Sequence, residues 1–178
     1  MNLPDIAFAY QTDAGVFSHG HLDTGTSLLL RCGVVPASTG SICDLGCGSG
    51  PIALSLALRS PSANVWALDV NERARTLTAE NARRLGLNIT VMAPESVPSE
   101  QRFNEIWSNP PIRIGKAAMD QLLTTWLSRL ADGGRMLLVI SRHLGADSLQ
   151  RRLGDAGHEV RRIASRAGFR VLEVTTPH

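Results

Sequence analysis

The stretch Ser41-Ile-Cys-Asp-Leu-Gly-Cys-Gly-Ser-Gly-Pro51 joins two apolar segments through a cluster of glycines. We predict a strand over Ser41–Leu45, because this short apolar run stops at the glycines, and a helix over Pro51–Arg59. Glycines in such a turn let the backbone bend sharply and let a ligand approach the main chain closely. The stretch therefore predicts an α/β fold with a ligand-binding turn after its first strand.

Strand-like and helix-like segments alternate along the rest of the chain, which is typical of an α/β fold with a largely parallel sheet. Further strands are predicted at 64–68, 89–92, 105–108 and 136–140, and further helices at 71–85 and 146–156. Apolar residues recur at helical spacing from Met119 to Leu130, which predicts an amphipathic helix that ends at Gly133–Gly134. Short strands at 159–163 and 170–174 flank Gly168 and predict an antiparallel hairpin. The prediction is a Rossmann-like, mostly parallel sheet with a C-terminal hairpin and helices on both faces.

The composition indicates one globular domain in a reducing compartment. The chain has 178 residues, 43% of them hydrophobic and 19% charged, which predicts a single domain over 1–178 and excludes a disordered chain. We find no signal segment and no apolar run of about 18 residues, so we predict a cytoplasmic protein without a membrane partner. Three cysteines without metal-ligand spacing predict reduced thiols and no metal site. No feature of the sequence indicates an oligomer.

Acidic residues lie at the ends of the first two predicted strands. Asp44 directly precedes the glycine turn, where a carboxylate would repel a pyrophosphate but suits a cation such as the amino group of a methionine moiety. The alternative for Asp44 is a capping residue in a glycine-rich turn. Asp69 ends the second strand, where an acid accepts hydrogen bonds from ribose hydroxyls, although it also suits a helix cap. Glu95, after the third strand, is a candidate for contacting an adenine or else an exposed loop residue.

The segment Ser108-Asn-Pro-Pro-Ile112 follows the fourth strand, at the edge where open α/β sheets bind ligands. Two prolines stiffen the segment, so the side-chain oxygen of Asn109 and the carbonyl of Pro110 become fixed acceptors. Two such acceptors can hold both protons of an exocyclic amino group and aim its lone pair at a methyl sulfonium. The alternative is a purely structural turn.

Taken together, these motifs resemble class I methyltransferases, which use S-adenosylmethionine as their cofactor. The chain is similar, more narrowly, to the small-subunit ribosomal RNA guanine-N2 methyltransferase family. That resemblance rests on the segments Gly15-Val-Phe-Ser18, Leu22-Asp-Thr-Gly-Thr26, Asn109-Pro-Pro-Ile-Arg-Ile-Gly-Lys116 and Gly145-Ala-Asp-Ser148. It implies a seven-stranded sheet, with residues 1–40 as a cofactor lid or substrate segment and residues 41–178 as the core.

The resemblance and the motifs define two sets of predicted site residues. The predicted cofactor-binding residues are Phe17, Gly25, Thr26, Asp44, Gly46, Cys47, Gly48, Asp69, Val70, Glu95 and Asn109. The predicted catalytic residues are Asn109, Pro110, Pro111 and Ile112, with Ile112 standing where many amino-methylating relatives have an aromatic residue that stacks on the base.

An RNA substrate, most simply ribosomal RNA, is the predicted partner. Arg113 and Lys116 are candidates for binding a phosphate, or else they are solvated charges at the start of a helix. The last 40 residues hold seven arginines against four acids, which suits RNA or else forms an arginine-rich surface. Two alternatives to RNA methylation remain at this point: methylation of a protein glutamine amide or a small amine, and a non-catalytic cofactor-binding scaffold.

Overall fold

The computed structural model describes residues 1–12, 23–110 and 115–177. Within these ranges one sheet contains the strands β1 (Thr39–Leu45), β2 (Ser62–Leu68), β3 (Ile89–Met92), β4 (Phe103–Ser108), β5 (Leu130–Ser141), β6 (Glu159–Arg166) and β7 (Phe169–Thr175). The same ranges contain the helices α1 (Thr24–Arg31), α2 (Pro51–Arg59), α3 (Glu72–Arg84), α4 (Lys116–Leu127) and α5 (Ala146–Asp155). Two single 3-10 turns, at Pro94–Ser96 and Arg142–Leu144, complete the regular structure of these ranges.

The strand order is β3-β2-β1-β4-β5-β7-β6, and the strands from β1 to β5 pair in parallel. β7 runs antiparallel to both of its neighbours. This topology confirms the predicted mostly parallel Rossmann-like sheet with its C-terminal hairpin. The order reverses at β1, whose neighbours are β2 and β4, and such a switch point opens a crevice at the carboxyl ends of the strands.

The helices cover both faces of the sheet, as predicted. On one face, Leu29 of α1 and Leu56 of α2 pack with Trp107 in one buried cluster. On the other face, Trp126 of α4 and Leu149 of α5 pack in a second cluster. Burying a large apolar side chain contributes about 1.5–3 kcal/mol, so these two layers hold the carboxyl edge of the sheet rigidly in place.

The amphipathic helix is shorter than its periodicity predicts, and this part of the prediction is wrong. α4 ends at Leu127, and Leu130 is the first residue of β5. Leu130 is buried in the same cluster as the inner face of α4, so its apolar character continues the helical period although its backbone is extended. Gly133 and Gly134 therefore lie within a strand. At Gly134 a Cβ atom would lie 2.8–3.1 Å from three backbone carbonyl oxygens, because β5 passes very close to β4 there.

The N-terminal residues attach to the helices beside the crevice. Asp5 accepts two hydrogen bonds from Arg59 of α2, at 2.7 and 2.8 Å. Gln11 exchanges two hydrogen bonds with the buried Asn81 of α3, at 2.8 and 2.9 Å, much as two paired peptide groups would. These contacts attach the first residues of the chain to α2 and α3. None of the described helices is long and apolar enough to cross a membrane.

Candidate active site

The glycine turn after β1 is held by backbone hydrogen bonds to the end of β2. Gly46 has a φ of +80°, a conformation that a residue with a side chain rarely adopts. The N–H groups of Gly46 and Cys47 both donate to the Leu68 carbonyl, at 2.8 and 3.0 Å. Burial raises the pKa of the Cys47 thiol well above its ordinary range, so this side chain lines the turn as a neutral group.

Asp44 lies completely buried beneath the turn, and it is not one of the residues that line the cleft above. Its Oδ2 atom accepts a hydrogen bond from the N–H of Ala53 at 2.9 Å, in the first turn of α2. Its Oδ1 atom has no hydrogen-bond partner among the residues that the structure describes. The pKa of Asp44 is raised to about 8, mainly by burial; the Ala53 N–H opposes this rise and the charge of Asp69 adds to it. Asp44 thus caps the start of α2, as expected if it is a capping residue of the glycine turn, and its other oxygen is available to a further partner.

Asp69 lines the cleft and organises two of its backbone segments. Its Oδ2 atom accepts from the N–H of Gly48, and its Oδ1 atom accepts from the N–H of Asn71, both at 2.9 Å. Asn71 in turn caps α3 by accepting from the N–H of Arg73. A carboxylate has about four lone-pair positions, so two acceptor positions of Asp69 remain for a ligand.

A cleft of about 430 Å³ opens above these residues at the carboxyl edge of the sheet. It brings together eight of the predicted site residues, namely Thr26, Gly46, Cys47, Gly48, Asp69, Val70, Asn109 and Pro110. Val70 is 80% exposed and presents an apolar side chain to the cleft. Glu95 is exposed in a 3-10 turn, and its neighbour Pro94 lines the cleft instead. Gly25 is buried behind the cleft, where a Cβ atom would approach Asp23 and Phe169.

The side chain of Asn109 is held at the junction of two cavities. Its Nδ2 atom donates to Asp23 Oδ2 at 2.7 Å and to Thr26 Oγ1 at 2.9 Å. Both amide protons are therefore engaged, and the Oδ1 atom remains as an acceptor. Asp23 was not among the predicted site residues; the signal that could have found it is an aspartate directly before a helix, in the same motif as Thr26.

The second cavity, of about 230 Å³, shares Asn109 and Pro110 with the first. Its remaining lining is mostly apolar, with Lys116 at the start of α4 and the ring of Phe169 from β7. A planar apolar group that enters this cavity would present its edge to the Asn109–Pro110 acceptors. Phe169 was not singled out from the sequence, because only the antiparallel pairing of Phe169 with Ser141 brings it to this edge.

Four predicted site residues lie outside the described residues: Phe17, Pro111, Ile112 and Arg113. Their roles stay predictions. Across the described ranges, no group of three or more histidine, cysteine, aspartate or glutamate side chains is placed to hold a metal ion.

The C-terminal arginines divide into two classes. Four of them are ion-paired within the chain: Arg152 with Asp120, Arg161 with Glu173, and both Arg162 and Arg170 with Asp147. The remaining three, Arg142, Arg151 and Arg166, are exposed and form no ion pair with another described residue. A partner could therefore bind the charges of these three arginines more readily than those of the four that are ion-paired.

Comparison with known proteins identifies the family. The family model described as methyltransferase small domain matches residues 7–173, nearly the whole chain. The chain belongs to the methyltransferase small domain family. It is therefore a methyltransferase, and S-adenosylmethionine is the cofactor that its cleft has to accommodate.

Relatives in this family differ in length. The uncharacterized protein YbxB of Bacillus subtilis is 35% identical over 93% of this chain and 85% of its own length. The ribosomal RNA small subunit methyltransferase C of Ectopseudomonas mendocina is 37% identical over 88% of this chain. This chain covers 48% of that protein, so it spans about half the length of the ribosomal RNA methyltransferases that it matches.

Two solved structures have folds similar to that of this chain. The T. thermophilus 16S rRNA N2 methyltransferase, in complex with AdoMet and guanosine, matches with a TM-score of 0.76 at 24% identity, over 92% of this chain and 46% of that one. The ribosomal protein L11 methylase of Lactobacillus delbrueckii subsp. bulgaricus matches with a TM-score of 0.73 at 20% identity, over 94% of this chain and 84% of that one. At these identities the likeness shows the fold alone.

The donors and acceptors of the cleft fit S-adenosylmethionine. Asp44 lies beneath the cleft and not in its lining; its buried oxygen, which has no hydrogen-bond partner among the described residues, suits the cationic amino group of a methionine moiety. The free acceptor positions of Asp69 suit ribose hydroxyls, and the apolar side chain of Val70 suits the face of an adenine.

Proposed function

We propose that this methyltransferase modifies an exocyclic amino group on RNA, namely guanine N2 of ribosomal RNA. The observation that carries the proposal is the side chain of Asn109, which stands between the two cavities with both amide protons engaged by Asp23 and Thr26. Such an amide can only accept from a substrate. An amino group, which has two protons to donate, is the matching chemical partner.

The chain's own residues act by orientation. The Asn109 oxygen and the Pro110 carbonyl accept the two protons of the amino group, so the nitrogen lone pair faces the cofactor cleft. Orientation of this kind contributes several kcal/mol to catalysis. When bound, the cofactor supplies an electrophilic methyl group. The amine nitrogen would bond to that methyl group as its bond to sulfur breaks, and the extra proton of the amine would pass to solvent afterwards, so the site needs no strong general base.

Within the cofactor cleft, we assign Asp44 to the amino group of the methionine moiety and Asp69 to the ribose. Gly46 and Gly48 let the ligand approach the backbone, because neither carries a side chain that would fill the cleft. An adenine contact of Glu95 stays a prediction, because Pro94 and not Glu95 lines the cleft. These assignments rest on the unpartnered Asp44 oxygen and on the position of Asp69 at the cleft.

For the base itself, we assign the second cavity, which is lined by Phe169, Lys116 and apolar side chains of β5. Reaching this cavity requires a base that has left its stack, as in other enzymes that react on bases. The relatives named as ribosomal RNA small subunit methyltransferases and the T. thermophilus enzyme solved with guanosine support a guanine substrate.

Phosphates of the RNA would meet the cations around this cavity. Lys116 lines it, and the N–H of Arg142, directly after β5, donates to the Gly168 carbonyl in the turn between β6 and β7 at 2.8 Å. Arg166 ends β6 beside the same turn. None of these three cations is ion-paired with another described residue, whereas Arg161 and Arg162 are.

Methyl transfer from tritiated S-adenosylmethionine tests the function. We expect the parent protein to label deproteinised ribosomal RNA or small ribosomal subunits, and mass spectrometry of the digested RNA should show N2-methylguanosine. The Asn109→Ala variant should transfer methyl groups about 10²–10³ times more slowly with cofactor affinity nearly unchanged, because only the substrate contact is lost. Labelling of ribosomal protein in place of RNA would favour the alternative, a protein amide substrate. Equal rates for parent and Asn109→Ala would show that Asn109 and Pro110 form only a turn.

A further inference from the structure

We propose that Asp23 and Thr26 are positioning residues, which fix the amide of Asn109 so that its oxygen faces the substrate. The inference rests on the proposed function, in which Asn109 accepts a hydrogen bond from the target amine. Asp23 and Thr26 touch neither that amine nor the reacting atoms in this assignment; they act through Asn109.

An asparagine amide by itself has no preferred direction, since its oxygen and nitrogen ends have nearly the same shape. A carboxylate beside it removes this ambiguity, because a carboxylate only accepts hydrogen bonds. Asp23 Oδ2 lies 2.7 Å from Asn109 Nδ2, so a flipped amide would lose this hydrogen bond and place two oxygens in contact, whereas the Thr26 hydroxyl can donate as well as accept. The flipped state would also point an N–H at the substrate, where an acceptor is required.

The positioning group is itself fixed by the start of α1. Asp23 caps this helix by accepting from the N–H of Thr26 at 3.0 Å, and the same Oδ2 atom holds Asn109. Leu29 and Leu30 anchor the helix in the core. At Gly25 a Cβ atom would lie 2.9 Å from Asp23 Oδ2 and 3.1 Å from the Phe169 ring, so glycine leaves the room that this carboxylate needs. The positioning of Asn109 thus accounts for Asp23, Gly25 and Thr26 together.

Negative charge at Asp23 also strengthens Asn109 as an acceptor. Hydrogen bonds in a chain polarise one another, so an amide that donates to a carboxylate carries more negative charge on its oxygen. Positive charge develops on the amine nitrogen as the methyl group arrives, and a polarised oxygen at this point stabilises it. Asp23 therefore both orients the Asn109 amide and makes its oxygen a stronger acceptor.

Substitutions at position 23 separate this role from helix capping. Serine is among the best N-cap residues but is too short to replace the carboxylate at Asn109, so Asp23→Ser keeps the helix start and removes the contact. Asp23→Asn keeps an acceptor oxygen without the charge. We expect the single-turnover rate to fall about 10- to 100-fold in Asp23→Ser and less in Asp23→Asn, with S-adenosylmethionine affinity within about threefold of the parent. Asp5→Ser, which removes an exposed acid on the N-terminal segment, is the control and should react at the parent rate.

Thr26 provides a second, independent pair of variants. Thr26→Val removes the hydroxyl that accepts from Asn109 but keeps the shape, while Thr26→Ser keeps the hydroxyl. A slower rate in Thr26→Val than in Thr26→Ser, again at similar cofactor affinity, supports positioning. Equal rates in the two variants, or a loss of cofactor affinity that explains the whole effect, would overturn it for Thr26.

A double-mutant cycle gives the deciding measurement. In an Asn109→Ala background, Asp23→Ser should change the rate by less than about twofold, because the group to be positioned is gone. The reversed pair is a further check: Asn109→Asp alone places two carboxylates together, and adding Asp23→Asn should restore part of the rate. Independent, multiplying losses in the cycle would show that Asp23 acts elsewhere. An unaffected Asn109→Ala variant would refute the proposed function instead, so the two failures are distinguishable.

Discussion

Changing Asp44 to asparagine should remove a pH dependence both from the stability of the protein and from its affinity for S-adenosylmethionine. Asp44 is completely buried; one oxygen accepts from the Ala53 N–H, and the other has no partner within the described part of the chain. Burial is the main cause that raises its pKa to about 8. Asparagine keeps the shape and an acceptor for Ala53 but does not titrate in this range.

The sign of the stability effect follows from proton binding. Between about pH 4, the ordinary pKa of an aspartate, and pH 8, the folded chain holds a proton at Asp44 that the unfolded chain releases. The stabilisation from this proton is complete below about pH 4 and is lost as the pH rises toward 8. One proton corresponds to about 1.4 kcal/mol per pH unit, so Asp44 should lower the free energy of unfolding by nearly that amount for each unit between about pH 5 and pH 7.

Cofactor binding should show the complementary effect. A cationic amino group beside the free Asp44 oxygen favours the carboxylate, so binding below pH 8 releases a proton. The affinity of the parent should therefore rise with pH below pH 8, by up to about tenfold per unit. In the Asp44→Asn variant the affinity should be lower at high pH and nearly independent of pH.

Urea unfolding of both proteins between pH 5 and pH 8 measures the first effect, and calorimetry in two buffers of different ionisation enthalpy counts the released protons. Asp5→Asn, at an exposed ion pair, is the control and should keep the parent's slope from pH 5 to pH 7, because its pKa is already lowered by Arg59. The same slope in parent and Asp44→Asn would refute the raised pKa. If the free energy of unfolding of the parent falls with pH as expected but cofactor binding releases no proton, the amino group of the cofactor lies elsewhere.

Three further predictions concern the cofactor, the RNA and the sheet. Asp69→Ala should weaken S-adenosylmethionine binding by about 1–3 kcal/mol, because it removes the ribose acceptor and frees two backbone N–H groups of the cleft; unchanged affinity by calorimetry would contradict the assignment. Replacing Arg142 and Arg166 by serine should lower the salt dependence of RNA binding, while replacing the ion-paired Arg161 and Arg162 should not. The reverse result in filter-binding titrations would place the RNA at Arg161 and Arg162. Gly134→Ala should destabilise the protein by about 1–3 kcal/mol in urea unfolding, because its Cβ meets backbone oxygens. Gly154→Ala in α5, where no described atom lies within 4 Å of the added Cβ, should stabilise it by up to about 1 kcal/mol. Similar effects of the two changes would contradict the close approach of β5 to β4.

Local sequence patterns determined the elements and the edge at which the chemistry takes place. The helix Pro51–Arg59 and the strand Ile89–Met92 have the predicted bounds, since a glycine cluster or a short apolar run marks their ends within a few residues. The hairpin around Gly168 and the position of Asn109 after β4 follow from equally local signals. Because parallel strands present their carboxyl ends together, the glycine turn and Asn109 had to meet once the strand order was set.

Contacts between distant residues were decided only by the tertiary structure. The helix α1 was not predicted, and its capping residue Asp23 meets Asn109 across 86 positions of sequence. Leu130 fits the periodicity of a helix but belongs to a strand, because tertiary packing against β4 overrides the local pattern. The ion pairs of Arg152, Arg162 and Arg170 depend on α5 lying against the hairpin and beside α4, while that of Arg161 depends on the pairing of β6 with β7. The types of residue that perform the chemistry can be found in the sequence, whereas the direction in which Asn109 points is set by a carboxylate that only folding brings within 2.7 Å.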